Sequence, residues 1–193
     1  SGVPVNIQKL LFDYSRKLIN HIDYVGAGTV EFIYDLKGKQ VYFMEMNTRL
    51  QVEHPVTEMV AKVDLVRQQF EIAQGKSIQR LPVKTDGHAI EVRINAERVE
   101  VDEEGNLRFI PEPGHVIDTV FPEAPFVRVI SAYGAGSIVS PYYDSMIAQV
   151  ICWGRSRKEA CTRLQEKLDA PLDESSFFST PLDASLENDA SKT

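Results

Sequence analysis

Between residues 31 and 53 the chain carries polar side chains at spacings that can do chemistry. Glu31 and Glu45 each lie seven residues from Gly38. In a hairpin centred on that glycine they face each other across two strands, on one side of the sheet. Like charges directly opposite destabilise a strand pair, so two facing carboxylates ask for a cation. Asn47 continues the same face two residues further on. Two carboxylates and an amide oxygen are hard ligands, suited to Mg²⁺ or Mn²⁺ rather than to zinc. The alternative is a solvated sheet face, or a register that separates the two acids, because a one-residue slip reverses the face.

The polar alternation continues through Arg49, Gln51 and Glu53, beside the apolar pair Leu50 and Val52. In an extended chain these three share the face of Glu45 and Asn47. A guanidinium binds a small planar anion through two parallel hydrogen bonds. A neighbouring carboxylate such as Glu53 can serve as a general base. A run of solvated surface residues is the plainer reading of the same pattern.

The elements that must position these residues follow from periodicity. Leu10, Leu11, Tyr14, Leu18, Ile19 and Ile22 predict an amphipathic helix over 7–24, broken by Gly26 and Gly28. Residues 29–34 and 40–46 are rich in β-branched and aromatic types and predict strands, with 35–39 as their loop. The stretch 47–54 reads as polar and irregular. Asp64 predicts a helix N-cap, and Gly75 its C-terminal stop. Residues 76–86 predict a domain connection. Strands are predicted at 88–95, 114–121, 126–131 and 145–153. Ser156 and Glu159 form a capping-box pattern for a final helix carrying Ala160, Leu164 and Leu168. Beyond 170 the periodicity stops, and 171–193 read as an acidic, disordered tail. Cys152 and Cys161 are both expected to be buried and inert. His54 and His88 read as structural, and Tyr142 and Tyr143 as residues that pack or shape the site.

Composition excludes several classes. The chain has 193 residues and a net charge of −7, which argues against a phosphate-backbone binder. No apolar run approaches the roughly 20 residues of a membrane helix. The first ten residues do not have the form of a signal peptide. Two cysteines make no disulfide framework or zinc pair, and point to a reducing compartment. No nucleic-acid or membrane partner is therefore expected, and a cytoplasmic location is; mitochondria or plastids remain open for a eukaryotic source.

The run GAGTVEFIYDLKGKQVYFMEMNTRLQVEHPVTEMV, residues 26–60, closely resembles the biotin carboxylase family. These are ATP-grasp enzymes of acetyl-CoA, propionyl-CoA and pyruvate carboxylases. The blocks GHAIEVRINAE (87–97) and SPYYDSMIAQVICWG (140–154) resemble the family's C-terminal domain, in the same order. The resemblance implies an α+β fold: the C-terminal portion of an ATP-grasp domain over 1–80, then a mostly antiparallel, truncated C-terminal domain over 86–170. It matches Glu31, Glu45 and Asn47 to the metal ligands, and Arg49 to the arginine beside bicarbonate and carboxybiotin. Gln51 and the backbone of Val52 match bicarbonate contacts, and Glu53 the base that deprotonates bicarbonate. Arg128 matches a second-domain arginine that contacts biotin, and is expected to share a cleft with Arg49. Ile33 and Met44 match positions near the adenine.

The implied reaction is ATP-dependent carboxylation of biotin with bicarbonate, through carboxyphosphate. Implied cofactors are ATP, Mg²⁺ or Mn²⁺, and biotin on a carrier protein. Implied partners are that biotin carboxyl carrier protein or domain and a carboxyltransferase component, with a homodimer common among relatives. The chain lacks the family's glycine-rich lid, its phosphate-binding lysines and its G-[VIL]-x-T-N block, so it is expected to be a fragment that is inactive alone. The alternatives are a non-catalytic module that binds a biotin carrier or a carboxylase subunit, and an ATP-grasp ligase joining a carboxylate to an amine.

Overall fold

The computed structural model describes residues 3–78 and 85–168, and the acidic-tail expectation for 171–193 lies outside them. The chain divides into two compact units, Ser1–Thr85 and Asp86–Thr193.

In the first unit, α1 spans Val5–His21, β1 Thr29–Asp35 and β2 Gln40–Asn47. The aromatic face of the hairpin turns to α1. Phe32 meets Phe43 edge-on at 6.2 Å and Tyr14 of α1 at 6.5 Å. Glu31, next to Phe32 in β1, lies on the opposite face. The tight loop 36–39 follows from Asp35, whose carboxylate accepts the Lys37 N–H at 2.9 Å, and from Lys39, which takes a positive φ of 51°.

Two short helices follow, α2 (His54–Ala61) and α3 (Leu65–Ala73). The first replaces the irregular reading that began at the polar run. Its signal was Pro55, which suits a first helical turn, followed by Val56, Met59 and Val60 at helical spacing. The predicted cap of α3 is present: the Asp64 carboxylate accepts the Arg67 N–H at 2.8 Å. The buried carboxylate of Glu58 ties the two helices, accepting the Leu65 N–H at 2.6 Å.

The second unit is built on an antiparallel sheet of order β3-β9-β7, with β3 His88–Asn95, β7 Val127–Ser131 and β9 Met146–Gly154. β4 (Glu97–Val101) and β5 (Leu107–Pro111) form a hairpin that the sequence reading missed. In its loop, hydrogen bonds led by the Asn106 backbone N–H hold the Asp102 carboxyl below its ordinary value. The strand expected over 114–121 is only the two residues Gly114–His115 (β6), paired with Ile138–Val139 (β8). Val116 still exchanges backbone hydrogen bonds with Ser137 and Gly136, at 2.9 and 2.8 Å. The ladder ends there because β8 is only two residues long and no further strand lies beside 117–121 among the described pairings.

α4 (Arg157–Leu168) packs Leu164 onto Val150 and Cys152 of β9, with Ile90, Val92, Val127 and Val129 around them. Its capping box forms with an offset. The Glu159 N–H donates to Ser156 Oγ at 3.2 Å, and the Glu159 carboxylate accepts the Arg155 N–H at 2.8 Å. Gly154 permits this close docking: a Cβ there would run into the backbone N of Ala160. Cys152 is buried as expected, but Cys161 is exposed, because it faces away from the Ala160–Leu164 stripe. Tyr142 and Tyr143 are 89% and 82% exposed, so neither packs; they stand on a turn outside the sheet. No helix among the described residues is long and apolar enough to cross a membrane.

Candidate functional site

The hairpin does set Glu31 directly opposite Glu45, though not by simple symmetry about Gly38. Near the turn, Asp35 pairs with Gln40 and Phe32 with Phe43. Continued unbroken, that register would put Glu31 against Met44. The register shifts between Glu31 and Phe32, so Met44 is the extra residue of a β-bulge and Glu45 moves into place. Thr29 then pairs with Asn47, which shares the face of the two acids.

Neither carboxylate has an ion-pair partner among the described residues. Two amides stand in instead. Asn47 Nδ2 donates to Glu31 Oε1 at 2.8 Å and to Glu45 Oε1 at 3.2 Å. Gln51 Nε2 donates to the same Glu31 Oε1 at 3.1 Å. A carboxylate only accepts, so both amides must present nitrogen to it. Opposed carboxylates joined only by neutral donors fit a divalent cation, provided Asn47 turns its amide to offer oxygen. No three His, Cys, Asp or Glu side chains converge as ligands among the described residues.

Beyond Asn47 the strand ends, so the expected alternation through Arg49, Gln51 and Glu53 does not continue. A turn does the work instead. The Gln51 carbonyl accepts the His54 backbone N–H at 3.2 Å and lies 2.7 Å from its ring Nδ1. Since a carbonyl only accepts, Nδ1 carries the proton. The turn leads into α2, whose N-cap is Glu53. It sets Arg49, Gln51, Glu53 and His54 around one cavity of about 420 Å³, closed by Gly26–Thr29 and by α3. Leu50 lines it as well, and Val52, half-buried, does not. Arg49 is exposed and holds the Leu50 carbonyl at 3.3 Å. Ile33 and Met44 are each about half-exposed, at 54% and 51%. Ile33 follows Glu31 on the same face of β1, and Met44 occupies the bulge.

In the second unit, Arg128 of β7 shares a row with Ile151 and Glu91 across the sheet. Arg93, Gln149 and Ile130 form the next row on the same face. This face therefore carries two arginines, both exposed, and the sequence reading gave a role to only one. The alternation over 88–95 already set Arg93 opposite the apolar side of β3. Between the rows, buried Gln149 donates to Glu91 Oε1 at 2.9 Å, and Glu91 Oε2 is buried without a hydrogen-bond partner among the described residues. Arg49 and Arg128 belong to different units.

Residues 4–81 match the family described as the carbamoyl-phosphate synthase L chain, ATP binding domain, and residues 91–172 match the biotin carboxylase C-terminal domain. Biotin carboxylase 1 of Bacillus subtilis is 46% identical over 164 residues, covering 84% of this chain and 35% of that protein. The biotin carboxylase of a Nostoc species is 47% identical over 154 residues, covering 79% and 33%. The biotin carboxylase domain of Hydrogenobacter thermophilus 2-oxoglutarate carboxylase, solved with MgADP, ADP and bicarbonate, superposes with a TM-score of 0.76 at 38% identity, covering 86% of this chain and 36% of that one. The chain thus spans about a third of the length of the curated relatives it matches.

Proposed function

The chain belongs to the biotin carboxylase family, and we propose that it carries the metal, bicarbonate and biotin side of an ATP-dependent biotin carboxylation site. The observation that carries this reading is the pair Glu31–Glu45, bridged by Asn47 and joined through Gln51 to the cavity of Arg49 and Glu53. Glu31, Glu45 and Asn47 hold Mg²⁺, which offsets charge on the transferring phosphoryl group of ATP. Ile33 and Met44 offer apolar surface to the adenine. Arg49 orients bicarbonate through its planar guanidinium, with Gln51 as a further contact in the same cavity. The Val52 backbone, which does not line that cavity, is a contact by resemblance alone. Glu53 takes the proton of bicarbonate as it becomes a nucleophile toward the γ-phosphoryl group.

ADP leaves as the bicarbonate oxygen bonds the γ-phosphorus, and the resulting carboxyphosphate breaks to CO₂ and phosphate. The ureido nitrogen of biotin carried by a partner protein bonds the carbon of CO₂ as its N–H proton passes to that phosphate. A carboxyltransferase component consumes the product. Arg128 is the arginine assigned to biotin by resemblance, and Arg93 offers a second guanidinium on the same sheet face. Either would act as a fixed cation toward developing oxyanion charge. The 193-residue chain alone is expected to show no bicarbonate- and biotin-dependent ATP hydrolysis, and robust turnover would refute that.

Binding tests the rest. Calorimetry with MgCl₂ should give a Mg²⁺ isotherm that Glu31→Gln and Glu45→Gln each abolish. The ¹³C line of labelled bicarbonate should broaden with the native chain and not with Arg49→Ala. Binding that survives in all three variants would overturn the assignment. Biotin titrations of Arg128→Ala and Arg93→Ala decide which arginine serves it.

A further inference from the structure

Gln51 belongs to both halves of the site. It lines the cavity of Arg49, Glu53 and His54, yet its amide is turned toward β1. There Nε2 donates to Glu31 Oε1 at 3.1 Å, and the same oxygen also accepts Asn47 Nδ2 at 2.8 Å. One carboxylate oxygen thus holds two N–H donors. A cation between Glu31 and Glu45 competes for that oxygen and repels N–H hydrogens aimed at it. Asn47 can answer by turning its own oxygen inward, since it lies on the same sheet face. Gln51 lies beyond the end of the strand, on the turn that walls the cavity, and its freed amide has that cavity to turn to.

We propose that Gln51 couples the two halves: a divalent cation at Glu31, Glu45 and Asn47 releases its amide from Glu31 and returns it to the cavity as a donor for a small oxyanion of the bicarbonate class. The inference rests on the cation reading above. In the absence of cation, the Glu31 carboxylate sequesters a donor the anion needs, so the cavity is poorly set for anion until the cation arrives. Linkage makes the effect reciprocal: the anion raises cation affinity by the same factor. The cation's charge also attracts the anion through space, and that share does not need Gln51.

The test uses the ¹⁵N-labelled 193-residue chain, MgCl₂ at constant ionic strength, and ¹³C-bicarbonate. The Gln51 side-chain amide signals are identified by their loss in Gln51→Leu. Mg²⁺ is expected to shift them with the same midpoint as the backbone signals of residues 45–47, and Glu31→Gln to remove both responses. Mg²⁺ should raise bicarbonate affinity about tenfold more in the native chain than in Gln51→Leu, within the usual range of coupling between sites. If residues 45–47 respond while the Gln51 amide does not move, the coupling is overturned, and likewise if Gln51→Leu keeps the whole gain. If residues 45–47 do not respond to Mg²⁺, the cation reading itself fails and the coupling with it.

Discussion

In the second unit, β9 is buried along nearly its whole length, from Ile147 to Cys152, beneath α4 and between two neighbouring strands. In the first unit only Ile7, Pro55 and Glu58 are buried among the described residues, and the hairpin leaves Ile33, Tyr42, Phe43 and Met44 about half in solvent. The difference follows from strand count. A central strand has partners on both edges and a helix on one face, whereas a two-stranded hairpin has no central strand and is marginal by itself. The residues proposed for cation and anion chemistry sit on the sparsely buried unit. Their groups are held by hydrogen bonds to amides and by a turn, so they can exchange partners. The second unit supplies a rigid sheet on which Arg93 and Arg128 are displayed.

The largest expected effect probes the buried unit. Leu164→Ala removes the side chain that docks α4, at a cost of about 2–5 kcal/mol. Burial pushes the Cys152 thiol up, with Arg163 and Lys167 pulling partly back. It is therefore held as an unreactive thiol until the unit opens. A thiol reagent should label exposed Cys161 at once and Cys152 slowly, and the variant should accelerate only the second event. Equal acceleration of amide exchange in α1 and β1 would break the contrast between the units.

A smaller effect is expected at the corner of the first unit. Asp64→Ala loses the cap of α3, worth about 1 kcal/mol. Amide exchange should rise at Arg67 and along α3, leaving β3, β7 and β9 unchanged. The smallest effect has an opposite sign. Glu45→Gln relieves the facing carboxylates, and without Mg²⁺ it should stabilise the hairpin by a few tenths of a kcal/mol. Mg²⁺ should raise the unfolding temperature of the native chain and should not raise that of the variant. A destabilised variant that still responds to Mg²⁺ would show that the two acids do not repel one another across the strands.

Local signals were legible where one residue decides the outcome. Asp64 announced its cap, Ser156 and Glu159 their box, and the alternation over 88–95 the strand that carries Arg93. The β4–β5 hairpin was missed because its alternation is carried by exposed valines and charges around a loop of acids. The strand at 114–121 was overextended because apolar residues there suggested pairing, which only neighbouring strands can supply. α2 was hidden by the polar run before it, although Pro55 marked its first turn.

Sequence by itself determined which donor types stand on the hairpin. Glu31, Glu45 and Asn47 are hard donors at spacings that a hairpin brings to one face, and the long matched run 26–60 ties them to one family. Two things came only from the tertiary structure. A four-residue loop and the Met44 bulge together set Glu31 against Glu45, since register depends on how the chain closes its turn and not on residue counting. Arg49, Gln51 and Glu53 converge because the chain leaves the strand and turns into α2 beneath α3. Alternation along an extended chain would have lined them up; hydrogen bonds from a turn curled them around a cavity, and left Gln51 within reach of both halves of the site.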